Sequence, residues 1–171
     1  MKVGGPLYRF LKRNHLRLIG RMPKQRAMIV AWAYWGVKHE PRIHYSESAT
    51  RGEWLHKPPG ALPMTTDCSG WATACYKWSG ARDPNGLAYK QVGYTGTLLD
   101  YAAKHGHIEN TPKAKPGDLL VYGPGTGDHG GIVVKAGTDP LTVSHGREAG
   151  PELVRVSQDG RKPQRVCRYL P

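Results

Sequence analysis

This chain has no acidic residue before Glu40, no internal repeat, no low-complexity tract and no apolar run approaching the ~20 residues of a membrane span. Its three cysteines, Cys68, Cys75 and Cys167, are too few for a disulfide framework. The N-terminus is basic but lacks a continuous apolar core followed by a small-residue cleavage site, which argues against a secretory signal. A chain made without a signal normally stays reduced. Cys75 is therefore expected to be a small core side chain and a Cys75–Cys167 bridge is disfavoured. No Cys-x-x-Cys or His-x-x-x-His spacing supports a zinc site. No metal or other cofactor is expected.

The 171 residues suit one domain, and 39% hydrophobic content with five tryptophans argues for a real core. The net charge of +12 is concentrated at one end. Lys2, Arg9, Lys12, Arg13, Arg17, Arg21, Lys24, Arg26 and Lys38 all precede the first acid. Such a segment seeks polyanions: nucleic acid, anionic lipid or a phosphate-rich wall polymer. A solvated basic tail is the alternative. Residues 1–22 look like a separable arm bounded by Gly4-Gly5-Pro6 and Pro23, followed by a folded domain over 23–171. Leu7, Phe10, Leu11, Leu16, Leu18 and Ile19 alternate with arginines there, a pattern that allows a short amphipathic helix.

From Lys24 to about His39 the run Ala27–Trp35 is apolar on nearly every side, which predicts a buried helix stopped before Pro41. Residues 41–66 are polar and rich in Gly and Pro, and are expected to be irregular. Asp67 is a natural N-cap for a second helix that ends at Gly80; Lys77 is its only charge, so it should lie at the centre of the molecule. A third helix is predicted over 96–105. After Pro116-Gly117, segments 118–122, 130–135, 141–145, 152–156 and 164–169 read as strands. Helices first and antiparallel strands second is an α+β pattern.

Cys68 stands at the first turn of the second helix, where the positive end of the helix dipole favours a thiolate. His129 and His145 flank what reads as a β-hairpin. A thiol, an imidazole to take its proton and a third polar group to hold that imidazole are the parts of a cysteine nucleophile system. His129 and His145 share the index sum of Lys135 and Asp139, so a ladder closing on that pair would set the two imidazoles opposite each other. Asp128 then points to the other face and is not assigned as the orienting acid. The remaining histidines, 15, 39, 44, 56, 105 and 107, read as polar surface in loops or at helix ends.

Three segments, Thr66-Asp67-Cys68-Ser69-Gly70-Trp71, Lys115–Tyr122 and His129-Gly130-Gly131-Ile132-Val133-Val134, occur in the order and at the spacing of the NlpC-type cell-wall cysteine peptidases. Over about residues 24–157 the chain resembles that branch of the papain superfamily. Asp83-Pro84-Asn85-Gly86, Gly93–Thr97 and Ser144-His145-Gly146 look most like its bacteriophage-encoded, endolysin-like members. The resemblance implies a papain-like NlpC-type fold, with N-terminal helices packed on a C-terminal antiparallel sheet and the nucleophile at the N-terminus of a central helix. It further implies Cys68 as nucleophile, His129 as general base, His145 as the orienting third member, and Tyr45 with Ser69 as oxyanion or substrate-binding groups. The glycine pair that often follows the family's tyrosine is replaced here by Ser46-Glu47. The implied reaction is cleavage of an amide bond in peptidoglycan stem peptides, by a protein made in the host cytoplasm for phage lysis. Action as a virion or tail-associated hydrolase, an amidase activity, or a non-catalytic polyanion-binding role on the same scaffold are the alternatives.

Overall fold

The computed structural model describes residues 22–146 and 150–171. The basic arm expected over 1–22 thus lies outside the described residues, apart from Met22.

Helix α1 spans Lys24–Lys38, begins directly after Pro23, and buries Ala27, Ile29, Val30, Ala31, Trp32 and Ala33. It crosses α2, Cys68–Trp78, in which every residue but Lys77 is buried. The two helices approach closely because Gly36 lacks a Cβ; one built there would collide with the Trp71 ring. Trp32, Trp35, Trp54 and Trp71 then surround Trp78 edge-on, with ring centroids 4.9–6.2 Å away. Lys77 escapes this core by donating to the Leu55 carbonyl at 2.6 Å.

The region 41–66 is ordered rather than irregular. Strands β1 (Ile43–Tyr45) and β2 (Met64–Thr66) pair in parallel, and Ala49–His56 winds as a 3-10 helix between them. Ile43, Trp54, Leu55 and Met64 anchor the segment in the core. These are isolated apolar residues in a polar context, so they set up no period for a sequence pattern to reveal.

Helix α3 spans Thr95–His105 and is closed at its start by Tyr94 and Thr97, whose backbone and side chain hydrogen-bond reciprocally. The strands β3 (His107–Glu109), β4 (Leu119–Tyr122), β5 (His129–Lys135), β6 (Leu141–Ser144), β7 (Glu152–Arg155) and β8 (Gln164–Arg168) form one antiparallel sheet in the order β3-β8-β4-β5-β6-β7. A four-residue helix, α4 (Val156–Asp159), follows β7. Strand β3 falls where helix-end polar surface was expected, so His107 is a strand residue.

Alternation along the strands builds two cores. Leu119, Val121, Ile132, Val134, Val143 and Cys167 face the helices. Leu120, Tyr122, Val133 and Val166 face the opposite way, against Ala114 and Val156. Helices packed on a C-terminal antiparallel sheet are the α+β architecture expected from the sequence. All three cysteines are free thiols.

An ionic cluster ties α1 to β8 and the C-terminal residues. Arg26, which the sequence groups with the polyanion-seeking cations, is buried and pairs with Asp118 at 2.8 Å. It also donates to the carbonyls of Pro116, Leu170 and Pro171. Arg168 meets the same carboxylate at 2.8 Å. The sequence shows the charge of Arg26 but not that a partner 92 positions away removes it from the surface.

Candidate active site

The site is assembled at the start of α2. Asp67 caps that helix by accepting from the Gly70 amide at 2.6 Å and from the Ser69 hydroxyl at 2.9 Å. Its other oxygen is held by Arg51, which also donates to the Gly93 carbonyl at 2.6 Å. Gly70 is required by space: a Cβ there would run into Thr66 Oγ1. The Asp-Cys-Ser-Gly run is therefore a tightly closed helix start. Ser69 is 2% exposed and donates to Asp67, which makes it part of the cap.

Cys68 is 8% exposed, and the backbone N–H groups of Gly130 and Ser69 lie near enough to its sulfur to favour the thiolate. Burial, and then the Asp67 charge, push the thiol up to about 12, while those two N–H groups pull it down. The helix-start position does not make the resting sulfur a thiolate, as the sequence suggests it should. A helix N-terminus is worth about 0.3–1 kcal/mol, whereas burying an unpaired anion costs several.

His129 is the first residue of β5 and directly precedes Gly130, so one peptide unit links it to the amide against the thiol. Its ring stacks on Tyr122, centroids 5.8 Å apart and 29° from parallel. Its Nε2 meets Ser144 Oγ at 2.5 Å. The β5–β6 register pairs Gly131 with Ser144 and Ile132 with Val143, one residue away from the pairing expected from the sequence. His129 and His145 therefore do not oppose each other across the ladder. The slip arises at the turn, where Lys135 pairs with Leu141 across a bulge and Asp139, its expected partner, instead accepts from the Ser157 amide and hydroxyl at the start of α4.

His145 follows β6, is fully buried, and sets its ring edge-on to Tyr45 at 5.4 Å. Tyr45 is close enough to Cys68 and Asp67 for their charges to raise its phenol, although burial and the hydrogen bond to Glu47 are the larger causes. The Tyr45 hydroxyl donates to Glu47 Oε1 at 2.7 Å. Glu47 also raises the Cys68 thiol slightly.

Sequence reasoning passed over Arg51, Glu47 and Ser144. Arg51 and Glu47 lie in the segment read as irregular, where the resemblance assigned a role to Tyr45 alone. Ser144 is the neighbour of His145 and was hidden by the one-residue register slip. Beside the cap, a cavity of about 570 Å³ is lined by Arg51, Glu53, Lys90, Val92 and Tyr94, among others. Among the described residues, no group of three His, Cys, Asp or Glu side chains is placed to hold a metal ion.

No family model matches this sequence, and no curated protein matches it significantly. Solved structures do. The NlpC/p60 domain of the peptidoglycan hydrolase SagA is 25% identical with a TM-score of 0.53, covering 82% of this chain and 97% of that one. The peptidoglycan hydrolase RipB of Mycobacterium tuberculosis is 20% identical with a TM-score of 0.54, covering 95% and 78%. The P60 domain of an antigen from M. avium subspecies paratuberculosis is 17% identical with a TM-score of 0.53, covering 85% and 98%. The fold is that of the NlpC/p60 domain, and the resemblance to NlpC-type cell-wall peptidases read from three motifs is borne out.

Proposed function

We propose that this NlpC/p60-type chain is a peptidoglycan hydrolase that cleaves an amide bond in wall stem peptides with Cys68 as its nucleophile. The observation that carries the reading is the placement of Cys68. It opens the central helix, and the N–H of Gly130, the residue next to His129, is near enough to its sulfur to favour the thiolate.

The chemistry follows from a resting thiol that is neutral. His129 acts as general base, taking the Cys68 proton as sulfur attacks the scissile carbonyl, so no free thiolate accumulates. The N–H groups at the start of α2 are the donors this mechanism assigns to the developing oxyanion, a type of contact worth about 3–4 kcal/mol per donor. Tyr45, with its hydroxyl on Glu47, lies near enough to Cys68 to flank the reaction from the β1 side. The imidazolium then returns the proton to the leaving amine, and water cleaves the thioester. This sequence of steps involves only groups of the chain and water.

The finer reading is a phage lysis protein made in the host cytoplasm, with residues 1–22 holding it to an anionic wall polymer. The test is mass spectrometry of the fragments released from purified peptidoglycan. The intact chain is expected to release peptides with new amino and carboxyl ends, and Cys68→Ala none. Release by Cys68→Ala equal to that of the intact chain would sink the assignment. A chain lacking residues 1–22 should bind walls less, most markedly at low salt, where the Debye length is about 30 Å at 0.01 M. Unchanged binding at low salt would reject the tether.

A further inference from the structure

We propose that Ser144 is the residue that positions His129, holding its Nε2 so that Nδ1 exchanges the proton with Cys68; this rests on the nucleophile reading above. The sequence assigns that task to His145.

Three observations place Ser144 in the role. The His129 Nε2 to Ser144 Oγ distance is 2.5 Å, and both residues are buried, at 5% and 4% exposure. The register that pairs Ser144 with Gly131 puts it on the same sheet face as His129, one diagonal step along the ladder. Tyr122, paired directly with His129 on β4, stacks on the ring from the neighbouring strand. The imidazole is thus set by a plane on one strand and a hydroxyl on the other. His145 lies beyond the end of β6, buried, with its ring edge-on to Tyr45.

A hydroxyl suits this duty for a chemical reason. It accepts from Nε2–H in both the neutral imidazole and the imidazolium, so one rotamer serves before and after proton transfer. With the hydroxyl as acceptor, the neutral ring carries its proton on Nε2 and its lone pair on Nδ1, the tautomer this proposal requires. The Cys68 proton moves to Nδ1 as the S–C bond forms, and leaves from Nδ1 to the departing amine. Ser144 neither gains nor loses a proton over the cycle. It also adds no negative charge beside a thiol already raised by Asp67 and Glu47.

The test uses the full chain and soluble peptidoglycan fragments. Ser144→Ala is expected to lower kcat about 10–100-fold with KM unchanged, the range for losing a hydrogen bond to a charged group. The acidic limb of the kcat/KM profile should move to lower pH, because a buried imidazolium without its acceptor loses its proton more readily. Ser144→Thr, which keeps the hydroxyl, should recover most of the rate. Nitrogen-detected NMR of the unaltered chain should show His129 as the Nε2–H tautomer, a readout that does not depend on any variant folding. His145→Ala should leave that tautomer and the acidic limb in place.

An Nδ1–H tautomer in the unaltered chain would overturn the proposal, as would a Ser144→Ala protein with unaltered kcat and pH profile. Either result beside inactive Cys68→Ala and His129→Ala proteins rejects Ser144 alone. A fully active Cys68→Ala protein rejects the nucleophile reading on which it stands.

Discussion

At Cys68 two influences compete for one proton. Burial and the neighbouring carboxylate of Asp67 hold it on sulfur, while the amides of Gly130 and Ser69 favour its departure; the first pair prevails, at a thiol pKa of about 12. Because the thiolate is the reactive form, alkylation of Cys68 in the absence of substrate should be slow at neutral pH. The rate should rise about tenfold per pH unit above the ordinary thiol value of 9.0, levelling only near 12. Glu47→Gln removes one of the charges that raise the thiol, so its profile should move to lower pH. A reactivity plateau near pH 7 would instead mean that a thiolate–imidazolium pair already exists in the resting protein. Sequence pattern placed Cys68 at a helix start and His129 at a strand start because both are local properties. It misjudged the thiol because desolvation depends on what the fold packs around the sulfur, which a local pattern does not show.

Elements are joined here by close approaches that a sequence does not advertise. Gly36 interrupts an otherwise bulky helix and reads as a weak point in α1, yet its bare backbone is the seat of Trp71. Gly36→Ala gains helix propensity of about 1 kcal/mol but must displace an indole that is 1% exposed. Overpacking of this kind costs about 1–3 kcal/mol, so the expected net effect is destabilisation. Chemical denaturation would show it as a lower midpoint at unchanged slope; a stabilised variant would mean that α1 and α2 can shift apart freely. The helices α1, α2 and α3 and most strands were legible, because each carries a cap, a turn signal or a sustained period. β1, β2 and β3 were not, since three-residue strands offer too short a period to distinguish from loop.

Across the whole molecule, Asp118 links the beginning of the domain to its end. It receives Arg26 from α1 and Arg168 from β8, both largely withdrawn from solvent. Such a pair is weak evidence for net stability, but removing one partner leaves uncompensated buried charge. Asp118→Ala should therefore destabilise by about 3–5 kcal/mol, the range for breaking a buried pair. Replacing Arg26 and Asp118 together should cost less than the sum of the two single changes, because the second removes a charge the first has stranded. Thermal unfolding of the four proteins checks both statements, and strict additivity would show that the groups act independently.

The sequence by itself determined the α+β class, the central position of the Cys68 helix, the antiparallel sheet and the location of the thiol and His129. All of these rest on short-range signals: caps, apolar periods and turn residues. Tertiary structure decided which hydroxyl meets His129 Nε2, whether Arg26 faces solvent, and how strongly the thiol keeps its proton. Each of those is settled by residues far apart in the chain. A bulge near Lys135 changes a pairing by one position and so exchanges His145 for Ser144 on the sheet face that carries His129. Alternation with a period of two turns a one-residue slip into a reversal of faces, and only the folded ladder fixes which register is adopted.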